Sequence, residues 1–438
     1  MVNKAKIAVG IDVGSSKVTT IIAQVSPLGE NTNIVGVASI PSSGIRKGQI
    51  VNIEEASQVI IQSVEAAERM AGYSVNHTAI SVGGAHISSQ NSHGVVAVAD
   101  PEGEITQEDV RRVIEAARAV SIPSSREILH VIPRTFTVDS QEGVADPIGM
   151  SGVRLEVETH IITGSTTSIR NLTKCISDVG ASIDFPVFSG VAAAEAILTE
   201  TEKELGVVLV DIGGGTTSIV VFIEGSPVYT AVLPIGARNV TNDLAIGLRL
   251  SLEAAEKLKI SLAEKTKTSL SEERKDEEIE KPKSEGKEAD EIDLSVIGIQ
   301  EAKSVSRKTV VEGIIRPRLN EIFTMLGAEI QRSGFAGMTP SGIVLCGGGA
   351  LTAGSVEVCK KTLALPVRIG CPNKVSGLID EVMSPAYATP IGLILYASKQ
   401  ENISPQKFSL PIIGNFFRKV SIKGNVGKII DLFKSFLP

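Results

Sequence analysis

IAVGIDVGSSKVTTIIAQV, residues 7–25, is two β-branched runs on either side of Gly14-Ser15-Ser16. Such a pattern reads as a hairpin with a tight turn opened by glycine. GVVLVDIGGGTTSIVVFIEG, residues 206–225, is a second copy. Both run apolar–Asp–apolar–Gly, then small residues, then a stretch rich in Val, Ile and Thr. Asp12 and Asp211 stand 199 positions apart. A strand–turn–strand repeated at about half the chain length predicts two related α/β domains facing each other across a cleft.

The regions around the two copies differ in character. EITQEDVRRVIEAARAV (104–120) reads as a helix opened by Thr106, with Glu108 and Asp109 in its first turn. REILHVIPRTFTVD (126–139) and GVRLEVETHIITG (152–164) alternate as strands do, so 86–163 reads as a small inserted α+β unit. SLEAAEKLKISLAEK (251–265) is helical, and residues 264–291 then become almost wholly charged and polar, which predicts a solvated loop. Residues 307–334 predict a long helical region punctuated by Pro317, and GIVLCGGGALTAG (342–354) a buried strand, a triple-glycine turn and a helix.

The 438 residues allow more than one core, and a net charge of −7 gives no support to general nucleic-acid binding. Four cysteines without a C-x-x-C pair, and five scattered histidines, argue against a disulfide framework or a zinc site. No signal peptide precedes the first strand, and no apolar run reaches the ~20 residues that span a bilayer, so the expected place is the cytoplasm.

Glycine turns that follow buried strands bring backbone N–H groups close to phosphate. Three are present: Gly14-Ser15-Ser16, Gly213-Gly214-Gly215-Thr216 and Gly347-Gly348-Gly349. Neither G-x-x-x-x-G-K-[ST] nor a continued G-x-G-x-x-G occurs, and the first two turns lead into β-branched runs where those motifs need a helix. An aspartate just before each hairpin turn suits the water shell of Mg²⁺, with Asp12 and Asp211 holding the ion through water.

This arrangement resembles the actin/Hsp70/sugar-kinase ATPase superfamily. The resemblance implies ATP as ligand, with Asp12, Gly14, Ser15, Ser16 and Lys17 in the first phosphate loop. It places Asp211, Gly213, Gly214, Gly215, Thr216 and Thr217 in the second, CGGGA (346–350) in the adenosine motif, and SGVAAAEA (189–196) in the connecting helix. Glu256 and Lys259 would lie near ribose and adenine; a solvated i,i+3 ion pair is the other reading of that pair.

Within the superfamily, LHVIPRTFTVDSQEGVADPIGMSGVRLEVETHIITG (129–164) is similar to the FtsA family of bacterial cell-division proteins. GAHISSQNSHG (84–94), VSRKTVVEGIIRPRLNEI (305–322) and the chain's last residues carry the same likeness, with one residue in excess near Gly313. The resemblance implies an actin-like two-domain ATPase fold with a duplicated core and an inserted subdomain 1C in place of actin's small subdomain 1B. It divides the chain into subdomain 1A (1–85, continued at 164–195 and 376–400), 1C (86–163), 2A (196–240 and 310–375), 2B (241–309, with the charged loop 264–291), a linker (401–423) and a terminal helix (424–438). It further implies self-assembly into protofilaments, recruitment of FtsZ, and downstream division proteins as partners of 1C. The FtsZ C-terminal peptide would dock on 2B, with Arg307 and Lys308 as its basic contacts or, on the other reading, as a solvated helix start. Chaperone-like relatives use a glutamate at the head of the connecting helix to position water. Ser189 stands there, which implies slow hydrolysis at most, with ATP as a clamp between domains.

The chain ends in NVGKIIDLFKSFLP (425–438). At helical spacing Val426, Ile429, Ile430, Phe433, Phe436 and Leu437 share one face, opposite Lys428, Asp431, Lys434 and Ser435. Such a helix suits the plane of an anionic lipid surface, its lysines reaching the head groups. From residue 401 onward the net charge is +4, against −11 for the rest. A helix packed back on the body is the competing reading. Without the anchor, the chain would instead resemble the actin-like scaffold of type IV pilus assembly.

Overall fold

A computed structural model describes residues 6–26, 32–100, 103–272, 290–301, 303–378 and 382–401, with 264–272 and 401 described by backbone alone. Two open sheets carry the molecule. The first takes Lys6–Val13, Lys17–Val25 and Thr32–Pro41 as an antiparallel meander, then adds His77–Val82 and Ser182–Phe188 in parallel. The second repeats this with Val207–Ile212, Thr217–Ile223 and Ser226–Leu233, then Ile343–Cys346 and Val367–Ile369. Numbered within each half, both sheets have strand order 3-2-1-4-5. The repeat seen in the sequence is thus a repeat of topology, and the fold is actin-like. The short pair Ser376–Gly377 adds a sixth strand to the first sheet.

The central strands are buried on both faces, which is why they read as nearly continuous Val/Ile/Leu runs. One apolar cluster gathers the first sheet, the helices on it and the near face of the second sheet. Another fills the far face of the second sheet beneath the helices Ala237–Leu248, Leu252–Glu272 and Arg316–Arg332. The helix Ser189–Ile197 packs against Ala388–Glu401 so closely that a Cβ on Gly392 would lie 1.7 Å from the carbonyl oxygen of Ala192.

Between the fourth strand of the first sheet and the helix Thr166–Ser177, the chain makes a separate four-stranded sheet. Its order is Ser88–Ala97, Arg154–Ser165, Arg126–Val138, Gln141–Val144. The helix Gln107–Arg118 covers it over Val113, Phe136, Leu155 and Val157. Thr106 accepts the Asp109 N–H while the Asp109 carboxylate takes the Thr106 N–H, a reciprocal cap that fixes where this helix begins.

Three local expectations need correction. The helix expected to end near residue 265 runs to Glu272, because Ala263, Glu264, Lys265 and Leu270 are good helix formers and the first proline beyond them is Pro282. The charged stretch therefore begins as helix, and at its other end Glu291–Asp293 is a strand paired with Ser304–Ser306. Pro317 does not punctuate its helix. Arg307–Val310 passes through a π-helical turn, Val311–Ile315, into Arg316–Arg332. The widened turn lies where the proline ring would meet the preceding carbonyls, so the helix continues. After the triple glycine, the chain makes a 3₁₀ turn, Gly348–Leu351, before the helix Ser355–Leu363. Among the described residues no helix is long and apolar enough to cross a membrane.

Candidate functional site

The two hairpin turns are built alike. Gly14 N–H donates to Lys17 O at 3.1 Å, and Gly213 N–H to Thr216 O at 2.9 Å. The turns meet face to face: a Cβ on Gly214 would fall 2.8 Å from Ser16 Cβ, and one on Gly215 3.1 Å from Ser15 Oγ. The third turn completes the ring from the second domain. Gly347 adopts φ +78°, and a Cβ there would stand 2.2 Å from Asp211 Oδ1, so glycine is required on both counts.

These turns line one cavity of about 1010 Å³ between the two sheets. Asp12, Gly14, Ser15, Ser16 and Lys17 line it from the first domain. Asp211, Gly213, Gly214, Thr216, Gly347, Gly348 and Gly349 line it from the second, and Glu256 and Lys259 from its outer helix. Two expected residues do not reach the cavity. Gly215 is spent on the contact with Ser15, and Thr217 is buried with its hydroxyl donated to Ile235 O at 2.9 Å. Glu256 and Lys259 form the i,i+3 ion pair, open to solvent on the Glu256 side alone. Lys259 Nζ is nearly buried, 2.7 Å from Glu256 Oε2 and 2.9 Å from Thr241 Oγ1.

Each aspartate is held by a hydroxyl that sequence reasoning did not single out. Ser81 Oγ donates to Asp12 Oδ1 at 2.6 Å and accepts the Val13 N–H at 3.0 Å. Thr389 Oγ1 donates to Asp211 Oδ2 at 3.0 Å. Burial raises the Asp12 carboxyl above its usual range, against the opposing pull of Ser81 and Lys17. Burial, and then the neighbouring Asp12 carboxylate, push Asp211 up to about 6. Two carboxylates raised by burial, one of them further raised by its neighbour, make a place short of positive charge in a glycine-lined cavity, which a hydrated divalent cation would supply.

Ser189 also lines the cavity, and its hydroxyl pairs with Ser218 Oγ at 3.2 Å. Among the described residues, neither serine hydroxyl is hydrogen-bonded to a carboxylate or imidazole that would make it a base. Arg307 and Lys308 lie outside the cavity, at the start of Arg307–Val310. Ser306 caps that turn and Asp290 Oδ1 accepts the Lys308 N–H at 2.9 Å, leaving the Lys308 side chain exposed. Val426, Lys428, Ile429, Ile430, Phe433, Lys434, Phe436 and Leu437 lie outside the described residues.

Comparison with known proteins gives one consistent result. A family model described as the SHS2 domain inserted in FtsA matches residues 84–163, and one for cell division protein FtsA matches residues 208–392. The chain is 39% identical over 401 residues to cell division protein FtsA of Pseudomonas aeruginosa, covering 92% of this chain and 91% of that one. It is 41% identical over 397 residues to the Neisseria meningitidis protein of the same name, covering 90% and 91%. Among solved structures, the PilM–PilN type IV pilus biogenesis complex matches with TM-score 0.60 at 17% identity, covering 89% of this chain and 98% of that one; the likeness is one of fold.

Proposed function

The chain belongs to the FtsA family of cell-division proteins, and on that footing we propose that it binds ATP with Mg²⁺ in the cavity, assembles into actin-like filaments and tethers FtsZ to the inner face of the cytoplasmic membrane. One observation carries the nucleotide part: three glycine turns and two half-buried aspartates, brought from far-separated parts of the chain, face a single cavity. The backbone N–H groups of the turns suit phosphate oxygens, and Lys17 adds a charge beside them. Mg²⁺, when bound, would neutralise phosphate charge; Asp12 and Asp211, held by Ser81 and Thr389, would orient its water shell. Glu256 and Lys259 form the wall where ribose and base would lie. With Ser189 and Ser218 paired to each other and, among the described residues, to no carboxylate or imidazole, the site is suited to holding a triphosphate more than to splitting it, and slow hydrolysis at most is expected.

The remaining parts rest on sequence pattern and family. Arg307 and Lys308 would meet an acidic C-terminal peptide of FtsZ, and the inserted subdomain would meet downstream division proteins. The terminal helix would bind lipid weakly as a single copy, and a filament would multiply weak tethers into firm attachment.

Co-sedimentation with anionic liposomes in Mg-ATP tests the assembly, comparing the full chain with one ending at Gly424. The full chain alone should pellet, and should carry FtsZ down with it. If neither form pellets, the anchor reading falls and a soluble scaffold of the pilus-assembly type takes its place.

A further inference from the structure

The segment Ser384–Thr389 belongs to none of the glycine turns, yet it contacts the third turn itself and a residue flanking each of the other two. Pro385 O accepts the Gly347 N–H at 2.9 Å, and Thr389 holds Asp211. Between them, Tyr387 presents its ring to Lys17, whose Nζ lies 3.7 Å from the ring centroid. Lys17 lines the cavity; Tyr387 is not among the lining residues, and its ring packs against the first domain's core. Tyr387 therefore meets a ligand indirectly, and Lys17 is the charged group between them.

Lys17 is also the one cationic residue in or directly beside the three turns. Its counterpart in the second hairpin, 199 positions on, is Thr216, and the third turn is all glycine. An ammonium over an aromatic face is attracted by the ring's quadrupole, more strongly when partly desolvated. A phosphate is a better partner for the ammonium, and whatever movement takes Lys17 off the ring toward it subtracts the lysine–tyrosine attraction from phosphate affinity.

We propose that Tyr387 sets the affinity of the cavity for phosphate-bearing ligands by competing with phosphate for Lys17. This deepens the nucleotide reading above and rests on it. Tyr387 is a positioning residue: it touches Lys17, not the ligand, from its place immediately before the helix Ala388–Glu401.

Tyr387→Leu removes the ring and keeps an apolar side chain; Tyr387→Phe keeps the ring and removes only the hydroxyl, which lies 3.4 Å from Ser39. The full-length variants and the parent are titrated with Mg-ATP and with adenosine, and each nucleotide-free protein is acylated at lysine and read at Lys17 by mass spectrometry. Tyr387→Leu should bind ATP about five-fold more tightly, equivalent to about 1 kcal/mol, with adenosine unchanged. Tyr387→Phe should behave as the parent. Acylation of Lys17 should rise in Tyr387→Leu alone. Unchanged or weaker ATP binding by Tyr387→Leu, or a shift shared equally by adenosine, overturns the proposal in favour of a purely structural tyrosine. If the parent binds no ATP while acylation still rises, the lysine–tyrosine pair stands, the nucleotide reading fails, and the competition fails with it.

Discussion

Gly347 places a positive φ and a carboxylate contact on one residue. Alanine there would have to adopt a left-handed conformation and push its Cβ into Asp211 Oδ1, at 2.2 Å, and Ile212 O, at 2.5 Å. Gly347→Ala is expected to cost at least ~2 kcal/mol of stability and ten-fold or more in ATP affinity, read by chemical denaturation and nucleotide titration. His130 gives a pH dependence. Its Nε2 accepts the Phe188 N–H at 2.9 Å, and burial lowers its pKa from 6.5 to about 4. Folded His130 stays neutral where the unfolded chain would bind a proton. Its contribution is thus complete above pH ~6.5 and is lost as pH falls toward 4. Between pH 7.5 and 4.5 this group should remove on the order of 2 kcal/mol of unfolding free energy. Urea melts of the parent and His130→Gln across that range should converge at low pH; parallel curves would reject the assignment. At this scale the glycine turns are legible in the sequence because their residue types are rare in strands and repeat at fixed spacing. Ser81, Tyr387 and Thr389 are not, since ordinary residues brought in from distant strands and helices leave no local pattern.

Among elements, the hairpins and the inserted sheet are readable from alternation and β-branching, whereas the continuation of the helix to Glu272 is hidden by its charge. The helix that begins at Arg307 is more instructive. Against the family pattern it resembles, the sequence carries a residue in excess near Gly313, and the structure has a π-helical turn at Val311–Ile315, the geometry that stores one residue more than an α-turn. Beyond it, Arg318 grips Asp243 with two hydrogen bonds of 2.5 and 2.9 Å, fixing the helix against Ala237–Leu248, which lines the cavity. Deleting Gly313 should return the turn to α geometry and rotate Arg307 and Lys308 by about 100° about the axis. Circular dichroism should remain close to that of the parent while affinity for an FtsZ C-terminal peptide, read by fluorescence anisotropy, falls at least ten-fold. Unchanged affinity would remove these two residues from the peptide site.

For the molecule as a whole, the inserted sheet is rooted in the first domain and fastened to the second. Ser89 Oγ donates to Thr230 O and accepts the Thr230 N–H, both at 3.0 Å, and Asn91 Nδ2 donates to Val228 O at 3.2 Å. His160, wholly buried, bridges Asn91 Oδ1 at 2.7 Å and Thr230 Oγ1 at 3.0 Å. Thr230→Val removes the hydroxyl and leaves a buried ring nitrogen without that partner, which should cost about 1–2 kcal/mol. Limited proteolysis should then cut the insert faster than in the parent; an unchanged melt and digest would show that the other bonds suffice.

Ser88–Ala97 and Ser226–Leu233 are both outermost strands, and outermost strands are where sheets of separate molecules zip together. Here each blunts the other through side chains, without merging into one sheet. Where many copies crowd together, this leaves two fewer sticky seams for misassembly, so that orderly association has less to compete against.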